Sequence, residues 1–239
     1  MAVMKKSVPG PSMTRPELIC GILYLPIFII GLSLGMELVF GLLDFHPTAT
    51  TANVLYFALN FLFLALIFRR WLLASIPTGR WKFWPFLQAI VLGFALYYAL
   101  NWLLSLGYEL TGLTMPTPND DYVDGLVRTN FTAMAISIVV LVPFSEEILF
   151  RGVIFGNLRR INSLLAYIVS VVVFAAIHVT PYIPQIGWKA VLLSALGYLP
   201  GSIALAWTYA KADSIWASMC LHAIINGMSL GLLQLQGMG

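Results

Sequence analysis

The sequence predicts an all-α, polytopic membrane protein: a transmembrane helical bundle of about seven spans, with a catalytic core in the last four. Three observations carry this. Of 239 residues, 60% are hydrophobic and only 10% charged, against about 25% charged in an ordinary soluble domain. Seven apolar windows, at residues 18–43, 52–68, 83–106, 129–157, 163–181, 186–209 and 213–235, each approach the roughly 20 residues that a helix needs to cross a bilayer. The basic residues also segregate. With the N-terminus in the cytoplasm, Lys5, Lys6, Arg15, Arg69, Arg70, Arg80, Lys82, Arg159, Arg160 and Lys211 all fall inside, only Arg128 and Lys189 fall outside, and Arg151 is left in the membrane, as the positive-inside rule requires.

Three units follow in order. Residues 1–17 form a cytoplasmic N-terminal segment, and the long apolar run after it, with no small-residue cleavage site, reads as a retained first span. Residues 18–128 hold the N-terminal spans and an outer loop. Residues 129–235 form the core. The loop at 107–128, with Glu109, Asp120, Asp121, Asp124, Pro116 and Pro118, reads as a solvated connector, a lid or partner surface being the alternative. Trp71, Trp81, Trp84, Trp102 and Trp188 lie near span ends and are expected to be interfacial anchors. Cys20 and Cys220 are expected to be packed and reduced, with no disulfide framework. The ending Gly237-Met238-Gly239 has no lipidation signal.

Polar groups inside the spans need an explanation, because a carboxylate near the bilayer centre costs roughly 2.5 to 3.5 kcal/mol on insertion scales. The fourth span holds Glu146-Glu147-Ile148-Leu149-Phe150-Arg151-Gly152. Glu147 and Arg151, four apart, share a helical face and can pair. Glu146 points about 100 degrees away and has no local partner. Pro143 removes an amide donor and crowds the carbonyl of Val139, so a kink or an opened helix, with a cavity beside Glu146, is expected there. The fifth span holds His178, one turn after Phe174. The seventh holds His222 and Asn226, again four apart on one face. Each alone is a satisfied core residue as readily as a functional one, but together they require a shared polar pocket. His46, in a short outer loop beside Pro47, reads as solvated.

At Glu146-Glu147-x-x-x-Arg151, Phe174-x-x-x-His178 and His222-x-x-x-Asn226 the chain resembles the CAAX-protease and bacteriocin-processing (CPBP, or Abi) family of intramembrane endopeptidases. The resemblance covers residues 129–235, and Arg151-Gly152 follows bacterial members. It implies a helical membrane core that opens to the cytoplasm and hydrolyses a peptide bond. By analogy Glu146 with His178 activates a water, His222 with Asn226 stabilises the oxyanion, and Glu147 and Arg151 support the site. Such roles fit the chemistry of a carboxylate in a low-dielectric pocket and of preorganised donors. The expected substrate is a membrane-associated peptide or protein, such as a pheromone or bacteriocin precursor. The lipid bilayer is the other partner, and neither a nucleic acid nor a cofactor is expected.

Three rivals stand beside this reading. A zinc enzyme would use His178, His222 and a glutamate as ligands, although no His-Glu-x-x-His helix is present and an asparagine one turn from His222 suits an oxyanion donor better. A non-catalytic membrane scaffold or bacteriocin-immunity protein would keep the fold but erode the motifs. A transporter would use Glu146 as a proton-coupled site. Counted from the basic end of each span, His178 lies several ångströms deeper than Glu146 or His222, so a shared site requires tilt or a fifth span that starts lower.

Overall fold

The computed structural model describes residues 11–77 and 80–237, the side chains of residues 80–82 and 236–237 excepted. The expectations for Lys5, Lys6, Met238 and Gly239, and for the side chains of Arg80, Trp81 and Lys82, lie outside the described residues. The described chain is helical throughout its ordered elements. We number these α1 (Arg15–Leu42), α2 (Ala49–Ile67), α3 (Arg69–Ala74), α4 (Arg80–Thr111), α5 (Pro118–Thr129), α6 (Phe131–Arg159), α7 (Ser163–Val179), α8 (Ile183–Ala212) and α9 (Ile215–Gly237).

Among the described residues, six helical runs are long and apolar enough to cross a membrane. One of them, Ser163–Ala212, has 50 residues, about 75 Å if straight against a hydrocarbon core of about 30 Å. It turns back through a 3-10 turn at Thr180–Tyr182 and a left-handed Gly187 (φ 75°), and α7 packs along α8. Counting it as two crossings recovers the seven expected. Large apolar side chains such as Leu23, Leu66, Trp102 and Leu164 are exposed along the spans, which is where lipid would cover them. This is a multi-pass membrane protein.

The helix ends follow local chemistry. Thr14 caps α1 in a reciprocal pair with Glu17, Asn130 caps α6 through the Ala133 N–H, and Asn162 caps α7 through the Leu165 N–H. Asp213, in the left-handed region (φ 48°), stops α8.

One end of the bundle gathers the basic residues. Arg159 pairs with Asp213 at 3.0 Å. Next to it, Ser214 and Trp216 at the start of α9 donate to the Ser75 and Leu72 carbonyls after α3. Trp71 does not lie at a lipid interface as expected; it is 3% exposed, with its Nε1 donating to the Pro11 carbonyl. Its indole lies against Gly152, where an added Cβ would stand 2.7 Å from the ring. This explains the glycine after Arg151: only a hydrogen there lets α3 close on α6. Trp84, Trp102 and Trp188 are exposed, as anchors should be. Cys20 and Cys220 are free but exposed on the apolar exterior rather than packed, because each falls on the outward face of its helix.

The opposite end is capped by α5. The loop at 107–128 is therefore not a plain connector. Helix α4 runs on to Thr111, and α5 buries Leu126 and Val127 against Met134 and Leu230. His46 is exposed beside Asp44, as expected of a solvated residue.

The fourth span departs from a regular helix twice, with π turns at Ser137–Leu141 and Glu147–Gly156. Pro143 explains the first. In the π register the Val142 N–H donates to the Ser137 carbonyl, so the next bond would run from residue 143 to Ile138, and proline has no N–H to make it. The freed carbonyl is thus that of Ile138 rather than Val139, and Asn226 Nδ2 closes it at 2.8 Å.

A candidate intramembrane active site

Helices α6 and α7 form a hairpin whose facing pairs lie symmetrically about Ile161 and Asn162. Phe155 meets Tyr167, Phe150 meets Phe174, and Glu146 meets His178. The Ser170 hydroxyl donates to the Phe150 carbonyl at 3.1 Å within the same register. Measured from the turn rather than from each helix start, Glu146 and His178 are level. The depth mismatch expected from the sequence disappears.

Glu147 is fully buried and saturated. Arg151 Nη1 donates to its Oε1 at 2.9 Å, His222 Nδ1 approaches the same oxygen at 2.9 Å, and the Ser218 hydroxyl donates to its Oε2. Arg151 is equally buried. Its Nη2 reaches the Ser202 hydroxyl at 3.1 Å, and its guanidinium carbon lies 4.3 Å from the centre of the Phe174 ring. A buried pair in which each partner has further bonds is the tolerable form of a buried ion pair.

Glu146 is the opposite. It is 5% exposed, its Oε2 is buried without a hydrogen-bond partner, and its two oxygens face His178 Nε2 at 3.7 Å and His222 Nε2 at 3.9 Å. These distances exceed a hydrogen bond. A cavity of about 60 Å³ lies nearby, lined in part by Asp120, Gly197 and Tyr198, and one of about 490 Å³ lies between the start of α2 and the α5–α6 junction; neither is lined by Glu146.

Both histidines are oriented by their other nitrogen. His178 Nδ1 lies 2.8 Å from the Phe174 carbonyl, which can only accept, so Nδ1 carries the hydrogen. His222 Nδ1 likewise donates to Glu147. Each Nε2 therefore faces Glu146 as a lone pair in a neutral ring, or as an N–H donor in a charged one. An imidazolium at His222, already against Glu147, turns its Nε2 into the donor that an oxyanion needs. Among the described residues, no three His, Cys, Asp or Glu side chains are gathered as metal ligands.

Residues 128–228 match the family described as Type II CAAX prenyl endopeptidase Rce1-like. The match takes in less than half of the chain, and over it the segment is similar to that family. The chain is also similar to UPF0177 protein YvdC of Lactococcus lactis, 26% identical over 185 residues, 76% of this chain and 66% of that protein. It is 34% identical over 87 residues to UPF0177 protein YxdF of the same organism, 36% of this chain and 42% of that protein. It is 27% identical over 123 residues to the protein named "Putative membrane peptidase YdiL" of Bacillus subtilis, 51% of this chain and 46% of that protein. The chain thus spans from 42% to 66% of the length of these curated relatives. No solved structure matches it.

Within the matched segment the structure brings together Glu146, Glu147, Arg151, His178 and His222. Asn226 is hydrogen-bonded to none of them; its Nδ2 donates to the Ile138 carbonyl, which leaves its second amide hydrogen uncommitted. Ser218, Ser202 and Tyr198 belong to the same surroundings and were not singled out by sequence. For Ser218 a signal existed. Ser214, Ser218, His222 and Asn226 recur every four residues, a polar stripe down one face of α9. Tyr198 gave none, since a lone tyrosine in an apolar span is unremarkable.

Proposed function

We propose that the protein is an intramembrane endopeptidase of the glutamate type, acting on a membrane-associated peptide or protein. One observation supports this above the others: of two adjacent buried carboxylates, Glu147 is saturated by Arg151, His222 and Ser218, while Glu146 is left unbonded between two imidazole nitrogens. A water held between Glu146 and His178 gives a proton to the carboxylate, and its oxygen attacks the scissile carbonyl. The carbonyl electrons move onto oxygen, where the His222 Nε2–H and the free amide hydrogen of Asn226 receive them. Collapse of the intermediate breaks the C–N bond, and the proton taken by Glu146 passes to the leaving amine. The N-terminus is read as cytoplasmic from the charge asymmetry between the two ends.

The test uses full-length protein in liposomes and a peptide library followed by mass spectrometry, with and without a chelator. Wild type is expected to cleave, the chelator to change nothing, and Glu146→Ala to lower cleavage by about 10²- to 10⁴-fold, the range of a general base, without unfolding. Inhibition by the chelator that added zinc reverses would replace this chemistry with the zinc alternative. Folded wild type that cleaves nothing would favour the scaffold.

A further inference from the structure

We propose that Tyr198 is a positioning residue for His178 and is anchored from outside the membrane by Asp120, so that the extramembrane helix α5 helps to hold the imidazole that faces Glu146. The inference rests on the proteolytic reading for its consequence, though not for its geometry.

His178 is the penultimate residue of α7, where a helix has lost its onward hydrogen bonds and frays. An imidazole that must meet a carboxylate and a water cannot be left to such a turn, since active groups need placement to within about 0.5 Å. The structure supplies the missing constraint from another helix. The ring packs against two aromatic rings: Phe174, tilted, with centroids 4.5 Å apart, and Tyr198, stacked at 4.7 Å with an interplanar angle of 28°. With Nδ1 on the Phe174 carbonyl, only the Nε2 edge remains free, and it points to Glu146. Phe174 belongs to the same helix as His178 and would move with it. Tyr198, on α8, would not.

Tyr198 is itself held from beyond the span. Its hydroxyl donates to Asp120 Oδ1 at 3.2 Å, across 78 residues of sequence. The Tyr182 hydroxyl donates to Asn119 Oδ1 at 3.4 Å and so pins the start of α5 to the turn just after His178. Before Tyr198, Gly197 leaves room for Met115; a Cβ there would stand 2.6 Å from its sulfur. Residues 115–120 thus touch both the stacking tyrosine and the turn that ends the histidine's helix. If the stack were packing alone, removing the Asp120 carboxylate would leave turnover unchanged.

The experiment measures kcat and KM in liposomes, with the library peptide that wild type cleaves fastest. Tyr198→Leu is expected to lower kcat by about 10- to 100-fold, the scale of a misplaced catalytic group, with KM nearly unchanged. Tyr198→Phe keeps the stack but loses its anchor and restores only part of the loss. Asp120→Ala matches Tyr198→Phe, and the double variant is no worse than either single one, as members of one linkage behave. Wild-type kcat in folded Tyr198→Leu, or additive losses in the double variant, would overturn the proposal. A second measurement does not depend on activity. With ¹³C-labelled histidine, the ring protons of His178 are expected to lose their aromatic shielding in Tyr198→Leu and keep it in Tyr198→Phe, and unchanged shifts in Tyr198→Leu would also overturn the placement. Cleavage that persists in Glu146→Ala would instead sink the proteolytic reading, with the ring shifts still deciding where His178 is held.

Discussion

The N-terminal and C-terminal spans both bury polar side chains, but they treat them differently. In the N-terminal half Asn60 is fully buried and its bonds close: the Tyr24 hydroxyl donates to its Oδ1 at 2.8 Å, its Nδ2 donates to the Tyr56 carbonyl, and the Tyr56 hydroxyl donates to the Phe28 carbonyl. In the C-terminal half the ledger stays open. Among the described residues, the buried side-chain atoms without a partner are Ser137 Oγ, Ser145 Oγ, Glu146 Oε2 and Arg151 Nε, all on α6. That span also buries 56% of its most apolar stretch, against 17% for α1. A satisfied network in a low dielectric holds helices together. One that leaves a carboxylate oxygen unbonded keeps it available for a ligand or a water, at a cost in stability.

The sharpest way to break this comparison is Arg151→Met. It leaves Glu147 as an uncompensated buried charge, and a loss of about 3–5 kcal/mol is expected, read as a fall in thermal stability in detergent. Adding Glu147→Gln should recover much of it, because the buried charge is then gone. Asn226→Ala comes next. It strips the Ile138 carbonyl of its donor, for about 1–3 kcal/mol, and removes an oxyanion donor, for about 10²- to 10³-fold in kcat. Retained turnover would leave Asn226 a purely structural residue. Asn60→Ala should cost stability on the same scale of about 1–3 kcal/mol but leave turnover per folded molecule unchanged. A turnover loss there, with stability intact, would mean that the two halves are not separable.

What the sequence revealed follows from cost. Glu146, Glu147, Arg151, His178 and His222 stood out because each is expensive in a membrane span, and the spans themselves were legible from length and apolarity to within a few residues. Ser202 and Tyr198 carry no such penalty and gave no signal, and Ser218 showed only through its place in the polar stripe of α9. The Asp120–Tyr198 bond joins residues far apart in sequence and has no local signature. The loop at 107–128 was read as solvated because its acidic residues dominate its composition. Its apolar Leu126 and Val127, which fix α5 to the bundle, lie at the end of the charged stretch. The apparent depth error at His178 had a simpler origin. A helical hairpin sets level by distance from its turn, and the turn at Ile161 was visible in the sequence.

The bond between Asn226 and Ile138 also bears on the order in which the protein is made. The fourth span enters the bilayer with a backbone oxygen that its own proline has left bare, and the donor that covers it sits on α9, which leaves the ribosome later. His222 arrives on the same helix. Until then the nascent chain holds a carboxylate without its second imidazole, and a helix with an uncapped defect facing the translocon. The cluster around Glu146 is therefore complete only once α9 has been made.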